Sequence, residues 1–240
     1  MTGTQNGTTR DTSRRGLVDR VSEAYADGGC ALVAKKTSAS VKKALFRRSA
    51  ALWYGRSLAS SLPAERSSVP GTFSPIGPSE LALWLREGRA LLWAADPREL
   101  EVASQLGHGW TCWKLCGEIA AFCKIGHGRV FVEDFDRAIS LPAWFAFLSD
   151  VYVLKEMRRR GIARQLILST MRLLKEDSFT GMGCHVPASN RASIALFTSL
   201  GFRSFGEIRF TRVLGFPIFS ERPERILERM AASDSNESVR

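Results

Sequence analysis

Apolar and polar residues follow two different spacings along this chain, and the change between them predicts the elements of its middle part. Residues 79–87 and 96–105 have the spacing of helices, and they begin with a Ser and with Asp-Pro, which are typical helix starts. Residues 110–116 and 119–125 then alternate bulky with smaller or polar side chains on either side of a glycine. This pattern predicts a β-hairpin.

The second half of the chain alternates strand patterns with helix patterns. Residues 144–154 form a long, mostly apolar run, typical of a strand that is buried on both faces. Residues 161–175 have the spacing of an amphipathic helix. The remaining predicted elements are strands at 130–132 (in the sheet of the hairpin), 183–186, 205–214 and 216–219, and a helix over 190–200.

The front of the chain differs in composition from the rest. Residues 38–58 are predicted to form a basic helix, and residues 61–78 contain four prolines, which indicates a linker. A short helix is also predicted over 14–27 and a short strand over 30–34. We therefore divide the chain into a disordered tail at 1–13, a basic and mainly helical extension with linker at 14–78, an α/β domain at 79–220, and a C-terminal helix and tail at 221–240.

Charge sets the front of the chain apart as well. The formal net charge is +10, and residues 1–70 carry 12 Lys and Arg against 5 Asp and Glu. Such a segment suits contact with nucleic acid or an anionic membrane, although no RNA-binding motif accompanies it, and a solvated surface explains it equally well. The start of the chain lacks the apolar core of a secretory signal, so a cytoplasmic location is expected.

The five cysteines indicate neither a disulfide framework nor a metal site. Their number is odd, and no C-x-x-C pair is present. Cys112 and Cys116 are predicted to share one face of a strand. With only three histidines in the chain, no set of ligands has the spacing of a zinc site. We expect free, buried thiols and no bound metal.

The junction between the long strand and the amphipathic helix carries the clearest chemistry. It reads Arg158-Arg159-Arg160-Gly161-Ile162-Ala163, a basic turn with a glycine that opens a helix. Free backbone N–H groups and the helix dipole favour an anion there, and a glycine lets a ligand approach the backbone closely. The turn is neither G-x-G-x-x-G nor a P-loop, which argues against dinucleotides and nucleoside triphosphates. A plain solvated turn is the alternative.

Two motifs resemble the GNAT family of acyl-CoA-dependent N-acyltransferases. Val153, Arg158, Gly161 and Ala163 match the pattern in which a strand ends in Val and Arg/Gln-x-x-Gly-x-Gly/Ala binds the pyrophosphate of acyl-CoA. The later segment from Asn190 through Phe197 to Leu-Gly-Phe resembles the second motif of the family. The resemblance covers residues 108–219 approximately. It implies a mixed, mostly antiparallel sheet with a splayed central strand pair, flanked by helices.

The resemblance also implies a co-substrate and the residues that bind it. Acetyl-CoA, or another acyl-CoA, would lie between the long strand and the strand at 183–186, and an amine acceptor would attack its thioester directly. Backbone groups at Val151 and Val153 would bind the pantetheine arm, Asn190 would stand beside that arm, and Phe197 would line the site. Many family members have Tyr at the position of Phe197, where it protonates the leaving thiolate; Phe cannot donate a proton. The full set implied to bind the cofactor is Val151, Val153, Arg158, Arg159, Arg160, Gly161, Ile162, Ala163, Asn190 and Phe197.

Two side chains are candidates for moving a proton. Asp150 lies in a segment that resembles the Glu-Asp-aromatic strand of polyamine-type GNAT enzymes, with Ser149 in place of the Glu. His185 lies on the neighbouring strand and has a pKa suited to proton transfer. A structural role is the alternative for each of them.

The sequence leaves three functions open. The first is an N-acyltransferase, in the first place an N-acetyltransferase. The second is a non-catalytic module that binds or senses acyl-CoA, and the third is a basic protein that binds nucleic acid or an anionic membrane. Whether the chain forms a homodimer is also left open, and so are the acceptor and the acyl-chain length.

Overall fold

The structure is a computed structural model, and it describes residues 46–64, 69–86, 97–132, 137–213 and 216–237. Contacts divide the chain into two units, residues 1–48 with 211–218, and residues 49–210 with 219–240. The described residues form ten strands and five α-helices. In chain order these are β1 (Phe46–Ser57), β2 (Thr72–Ile76), α1 (Pro78–Arg86), α2 (Pro97–Gln105), β3 (His108–Leu115), β4 (Glu118–Gly126), β5 (Arg129–Val132), β6 (Arg137–Ser140), β7 (Phe145–Val153), α3 (Ile162–Glu176), β8 (Gly181–Pro187), α4 (Arg191–Ser199), β9 (Arg203–Val213), β10 (Phe216–Phe219) and α5 (Pro223–Glu237).

Eight of these strands form one mixed, mostly antiparallel sheet with the order β10-β9-β1-β8-β7-β4-β3-β2. The central pair, β7 and β8, is parallel. The strands β5 and β6 form a separate two-stranded sheet. The expected fold class, a mostly antiparallel sheet flanked by helices, is confirmed.

The central strands β7 and β8 diverge toward their C-terminal ends. Their pairing covers Phe145–Leu148 opposite Gly181–Cys184 and stops there, although both strands continue. Beyond that point β7 keeps its pairing with β4 as far as Val153, and β8 keeps its pairing with β1 as far as Pro187. A V-shaped opening therefore separates the two strands, as the sequence resemblance implied.

Alternation of side chains along the strands sends them to cores on both faces of the sheet. Ala146 and Leu148 join a core with α3 and α4, whereas Phe145 and Phe147 join another core with β5, β6 and α5. This is the period of two that an extended strand imposes. A third core holds α1 and α2 against β3 and β4.

Several expectations from the sequence are wrong. The basic helix predicted over 38–58 is a strand over its second part, because Leu52 and Tyr54 contribute to one core and Ala51 and Trp53 to the other. Side chains that alternate between two cores fit a strand in a sheet that is covered on both faces. A helix would instead need its apolar side chains along one stripe that faces a single core. The extension at 14–78 is accordingly not mainly helical in its described part, and the linker at 61–78 contains β2.

Two smaller corrections concern short segments. The strand at 130–132 does not extend the hairpin's sheet, because it pairs with β6 alone. Cys116 does not share a strand face with Cys112, since it lies exposed in the β3–β4 turn with a φ of 50°. In the segment predicted as a C-terminal helix and tail, 221–240, the helix runs from Pro223 to Glu237. The tail at 1–13, the helix at 14–27 and the strand at 30–34 lie outside the described residues.

Candidate functional site

A cavity of about 540 Å³ opens where β7 and β8 diverge. Its walls come from the end of β7, from the 3-10 turn Lys155–Met157 with the segment that leads to α3, and from the N-terminal turns of α3 and α4. The lining residues are Val151, Tyr152, Val153, Met157, Arg158, Arg159, Gly161, Ile162, Ala163, Arg164, Asn190, Ala192, Ser193 and Leu196. Its volume lies in the range of sites that hold small molecules and cofactors.

The N-terminus of α3 forms one end of this cavity. Gly161 is the N-cap residue with a φ of 80°, and no side chain caps the helix there. The first turn contains no acidic residue. The backbone N–H groups of this turn, together with the helix dipole, worth about half a positive charge, therefore favour an anion. Gly161 is suited to the position because its left-handed backbone costs little without a Cβ atom.

Arginine side chains surround this end of the cavity. Arg158 donates from Nε to the carbonyl oxygen of Val153 at 3.2 Å, and its Cζ lies 5.9 Å from the centre of the Tyr152 ring. Arg164 donates from Nη1 to the carbonyl oxygen of Ser199 at 3.3 Å, which ties α3 to the end of α4. Arg160 is exposed and does not line the cavity. Of the arginines predicted for the anion site, Arg158 and Arg159 thus line it directly.

The wall from α4 begins at Asn190. The side chain of Asn190 accepts a hydrogen bond from the backbone N–H of Ser193 at 3.2 Å, so it caps the helix and also lines the cavity. Phe197 does not line the cavity: it is 4% exposed and packs edge-on against Phe202, with 5.1 Å between ring centres. The predicted place of Phe197 in the cofactor site is therefore not borne out by the described geometry.

The wall from β7 is formed by a stretch of strand whose edge toward β8 is unpaired. Val151 and Val153 are half-buried and line the cavity on the side where the pairing with β8 has stopped. Peptide groups along such an unpaired edge are available to a ligand that runs parallel to the strand, as an added strand would.

Asp150 lies at an irregularity of β7, just before this edge. The register between β4 and β7 shifts between Phe122 and Lys124, and Asp150 has a φ of 50°. An Asp tolerates this left-handed conformation better than most residues. Asp150 is half-buried and does not line the cavity itself. Asp150 is nevertheless next to the cavity, because the following residue, Val151, lines it.

The Asp150 carboxylate makes a small contribution to the raised pKa of the buried Cys123 thiol. Burial raises the pKa of Cys123 to about 11, with smaller contributions from Cys112 and then Asp150, while hydrogen bonds with Thr111 and Thr170 oppose this shift. The Cys123 sulfur lies 3.1 Å from Thr111 Oγ1 and 3.6 Å from Thr170 Oγ1. Cys123 is therefore a neutral thiol at pH 7 and is not a nucleophile.

His185 lies on the other face of the sheet from α3. Its neighbours along β8, Cys184 and Val186, join the core with α3, whereas the His185 ring stacks on Phe147 at 5.6 Å with 12° between the planes. The centre of the Trp53 ring is 6.1 Å away. The structure does not bring His185 to the cavity.

Several lining residues were not predicted from the sequence. Arg164 lies three positions after Gly161, and Ser193 and Leu196 lie three and six positions after Asn190. Helical spacing from the recognised residues would have indicated Arg164 and Ser193. No spacing in the sequence indicated Tyr152 or Met157. Their positions depend on the irregularity of β7 and on the 3-10 turn Lys155–Met157, which the sequence pattern did not predict.

Two negative findings apply to the ranges that the structure describes. No three His, Cys, Asp or Glu side chains in those ranges are grouped so that they could hold a metal ion. None of the helices there combines the length and apolar character that a membrane span requires.

The model of the acetyltransferase (GNAT) family matches residues 78–202, slightly more than half of the chain. No curated protein matches the sequence. Among solved structures, a GCN5-related N-acetyltransferase from Sphaerobacter thermophilus is similar with a TM-score of 0.52 and 15% identity, over 76% of this chain and 58% of that one. At such an identity the similarity establishes the fold alone.

Two further solved structures are similar. One is an acetyltransferase of the GNAT family from Novosphingobium aromaticivorans (TM-score 0.49, 20% identity, 69% of this chain and 64% of that one). The other is the aminoglycoside N-acetyltransferase AAC(6')-Iy in complex with CoA (TM-score 0.43, 22% identity, 55% of this chain and 91% of that one). The chain thus spans less than two thirds of the Sphaerobacter and Novosphingobium proteins.

Proposed function

Because this chain belongs to the GNAT family of acetyltransferases, we propose that it transfers an acyl group, in the first place acetyl, from acyl-CoA to an amine. One observation carries the proposal. The cavity joins an uncapped helix N-terminus surrounded by arginines to the unpaired edge of a splayed strand. A ligand with an anionic end and a long, amide-containing arm suits both parts.

The N-terminus of α3 is proposed to hold the pyrophosphate. The backbone N–H groups at Gly161, Ile162 and Ala163 face the anion, and Arg158 and Arg159 neutralise its charge. Arg160 is exposed beside this end of the cavity and adds attraction at longer range. The role of Arg158 requires its guanidinium to turn from the Val153 carbonyl, which then becomes free to accept from the pantetheine arm.

The reaction itself is proposed to take place where β7 and β8 part. The amine nitrogen attacks the thioester carbonyl, a backbone N–H near Val151 stabilises the developing oxyanion, and the C–S bond then breaks. The proton lost by the amine passes to Asp150, directly or through water. The thiolate leaves without an acid at position 197, which is feasible because thiols have pKa values of about 8.5.

A cytoplasmic protein that works as a small-amine or protein N-acetyltransferase is the fullest form of this proposal. The alternative is a module that binds acyl-CoA without catalysis. Phe197 favours that alternative, because it is buried among aromatic side chains and has no proton to donate. Ser149, in place of a second acid, favours it as well.

Acetyl-CoA is expected to raise the melting temperature of the full chain, since a ligand that binds only the native state stabilises it by mass action. At a concentration one hundred times its dissociation constant, the gain is about 2.7 kcal/mol. The measurement is a thermal melt with acetyl-CoA, with dephospho-CoA and with pantetheine, which lacks the pyrophosphate. A shift with pantetheine equal to that with acetyl-CoA would contradict the assignment of the anion end.

The same samples, incubated with a panel of small amines and peptide N-termini, test the transfer reaction. Release of free thiol that depends on an amine identifies an acyltransferase. A melting shift without thiol release for any acceptor identifies a binding module, and neither result contradicts the cofactor assignment.

His185→Phe tests the second proton-transfer candidate. Phe preserves a flat ring between Phe147 and Trp53 and removes both ring nitrogens, so the fold is expected to persist. A catalytic role predicts a loss of about a hundredfold in kcat and the disappearance of one limb of the pH profile. We expect instead less than a threefold loss with an unchanged profile, because the His185 ring lies on the face opposite α3.

A further inference from the structure

Lys124 lies on the face of the sheet opposite α3. Its neighbours along β4, Cys123 and Ile125, join the core with α3, so the side chain between them points to the other face. Trp110, the partner of Lys124 on β3, belongs to the core with α1 and α2, and directly paired residues share a face. Phe147 on β7 belongs to the core with β5, β6 and α5. The Lys124 side chain therefore lies between these two cores.

The cover of this face has a gap at Lys124 and Ser149. From Ile119 to Gly126, every position of β4 is buried except Lys124, which is half-buried. Its partner on β7 is Ser149, the first residue of that strand that is not buried. Water and small molecules can therefore reach the surface of the sheet at these two neighbouring side chains.

The Lys124 ammonium forms no ion pair with any of the described residues. The ion pairs found among them are Lys114–Glu80, Arg209–Glu207 and Arg229–Glu221. A lysine that is partly withdrawn from water is usually paired, because an ammonium loses hydration energy there. An anion that binds in the gap would supply the charge that Lys124 lacks.

A neutral histidine lies near Lys124. Burial, followed by the charges of Lys124 and then His127, lowers the pKa of His108 to about 4, so its ring is neutral at pH 7. The influence of Lys124 on His108 also shows that water does not fully screen the ammonium at this place. The positive charge in the gap is therefore that of Lys124, and it attracts an anion more strongly than a lysine on an open surface would.

The gap adjoins the place proposed for acyl transfer. The pairing of β7 with β8 ends at Leu148, so the edge of β7 toward β8 is unpaired from Ser149 onward. Asp150 follows directly, and Val151 lines the cavity on the side of α3. Neighbouring strands are about 4.8 Å apart, and successive residues of a strand are about 3.4 Å apart. Lys124 and Asp150 are thus diagonal neighbours, and one small molecule in the gap can contact both.

From these features we propose that the amine acceptor also carries a carboxylate, which Lys124 binds while the amine lies at Asp150. Free amino acids are the simplest molecules of this class. A single ammonium matches the charge of one carboxylate, whereas a phosphate dianion usually meets several donors, arginines above all. This inference rests on the proposed function, because it names the acceptor of the same reaction and makes Lys124 the residue that selects it.

Pairs of amines that differ by one carboxylate test the proposal on the full chain saturated with CoA. Suitable pairs are leucine with isopentylamine, phenylalanine with phenethylamine, and γ-aminobutyrate with propylamine. We expect the carboxylated member of the best-bound pair to have a dissociation constant about tenfold lower, the usual effect of a hydrogen bond to a charged group. The measurement is a titration followed by the amide NMR signals of the protein, which reports binding with or without turnover. Equal affinity within every pair, or no binding of any carboxylated member, would overturn the proposal.

Two variants and one control identify the group that binds the carboxylate. Lys124→Met keeps the aliphatic stem and removes the charge, so the two members of each pair should bind with equal affinity. Lys124→Arg keeps the charge and should keep most of the preference. The matched control is Lys114→Met, because Lys114 lies on the adjacent strand and already donates to Glu80 Oε1 at 2.8 Å. The control should keep the full preference, and a preference that survives in Lys124→Met would refute the proposal.

Thiol release from acetyl-CoA with the same pairs separates this inference from the proposed function. Transfer to amines with a kcat/KM that is independent of the carboxylate would refute the role of Lys124 and leave acyl transfer standing. Binding of the carboxylated members through Lys124 without any thiol release would support the carboxylate site and contradict the transfer reaction.

Discussion

Replacing Gly161 with Glu is expected to weaken acyl-CoA binding by about a hundredfold or more. Gly161 caps α3 at the anion end of the cavity, so a carboxylate there would stand against the phosphates of the ligand. Placing like charges against each other costs several kcal/mol, and 1.4 kcal/mol is tenfold in affinity. The measurement is the dissociation constant of CoA from isothermal titration, together with the loss of the CoA-dependent melting shift.

Gly117→Glu is the matched control for this substitution. Gly117 has a φ of 84°, close to the 80° of Gly161, and an added Cβ atom would meet nothing within 4 Å. The backbone strain, about 1–2 kcal/mol, and the added charge are therefore the same in the two variants, and the one difference is that a Cβ atom at Gly161 would lie 3.2 Å from Val69 Cγ2. Gly117 lies in the β3–β4 turn and does not line the cavity. If Gly117→Glu weakened CoA binding as much as Gly161→Glu, the effect would come from instability and not from the anion site.

Asp150→Asn is expected to lower kcat by about a hundredfold while leaving the dissociation constant of CoA unchanged. Asn accepts the left-handed backbone at this position as readily as Asp, so the irregularity of β7 should persist. The substitution removes the carboxylate that takes the proton of the amine. Such general-base catalysis usually raises the reaction rate by a factor of about 10²–10⁴. The measurement is steady-state kinetics with the best acceptor from the amine panel, with CoA binding determined separately.

Asp177→Asn removes an equal charge from an exposed position at the C-cap of α3 and should change neither quantity. A parallel fall of kcat and CoA affinity in Asp150→Asn would indicate that Asp150 supports the shape of β7 and does not act on the substrate. Unchanged kcat would exclude Asp150 as the base.

The helix N-terminus that we propose to hold the anion was predictable from the sequence because its determinants are local. Residues that are adjacent in the chain are sufficient to predict a glycine at a helix start, the arginines before it and an Asn cap. Gly161 and Asn190 are the N-cap residues of α3 and α4. By contrast, whether a side chain such as Phe197 faces a cavity depends on packing between distant elements, here on Phe202 and the core beneath α4.

The error at residues 38–58 has the same origin. Trp53 and Tyr54 are adjacent apolar residues in a basic segment, and this pattern fits the apolar stripe of a helix when only local spacing is considered. Their true environment is an inner strand with a core on each face, which the sequence does not reveal without β8 and β9 beside it. For His185, predicted as a proton-transfer candidate on the strand beside the long one, the face of β8 on which the side chain lies likewise depends on register.

The place of β1 in the sheet also bears on how the polypeptide reaches its native state. Residues 51–57 pair with residues 181–187, so this ladder joins segments that are far apart in the chain. Closing so large a loop costs conformational entropy before any contact repays it, and folding slows as the mean sequence separation of contacts grows. During synthesis β1 emerges long before its partner and must wait for it with its backbone groups unpaired. The last stage of folding should therefore be the insertion of β1 beside β8, after the part from α1 to α4 that the family model matches has formed.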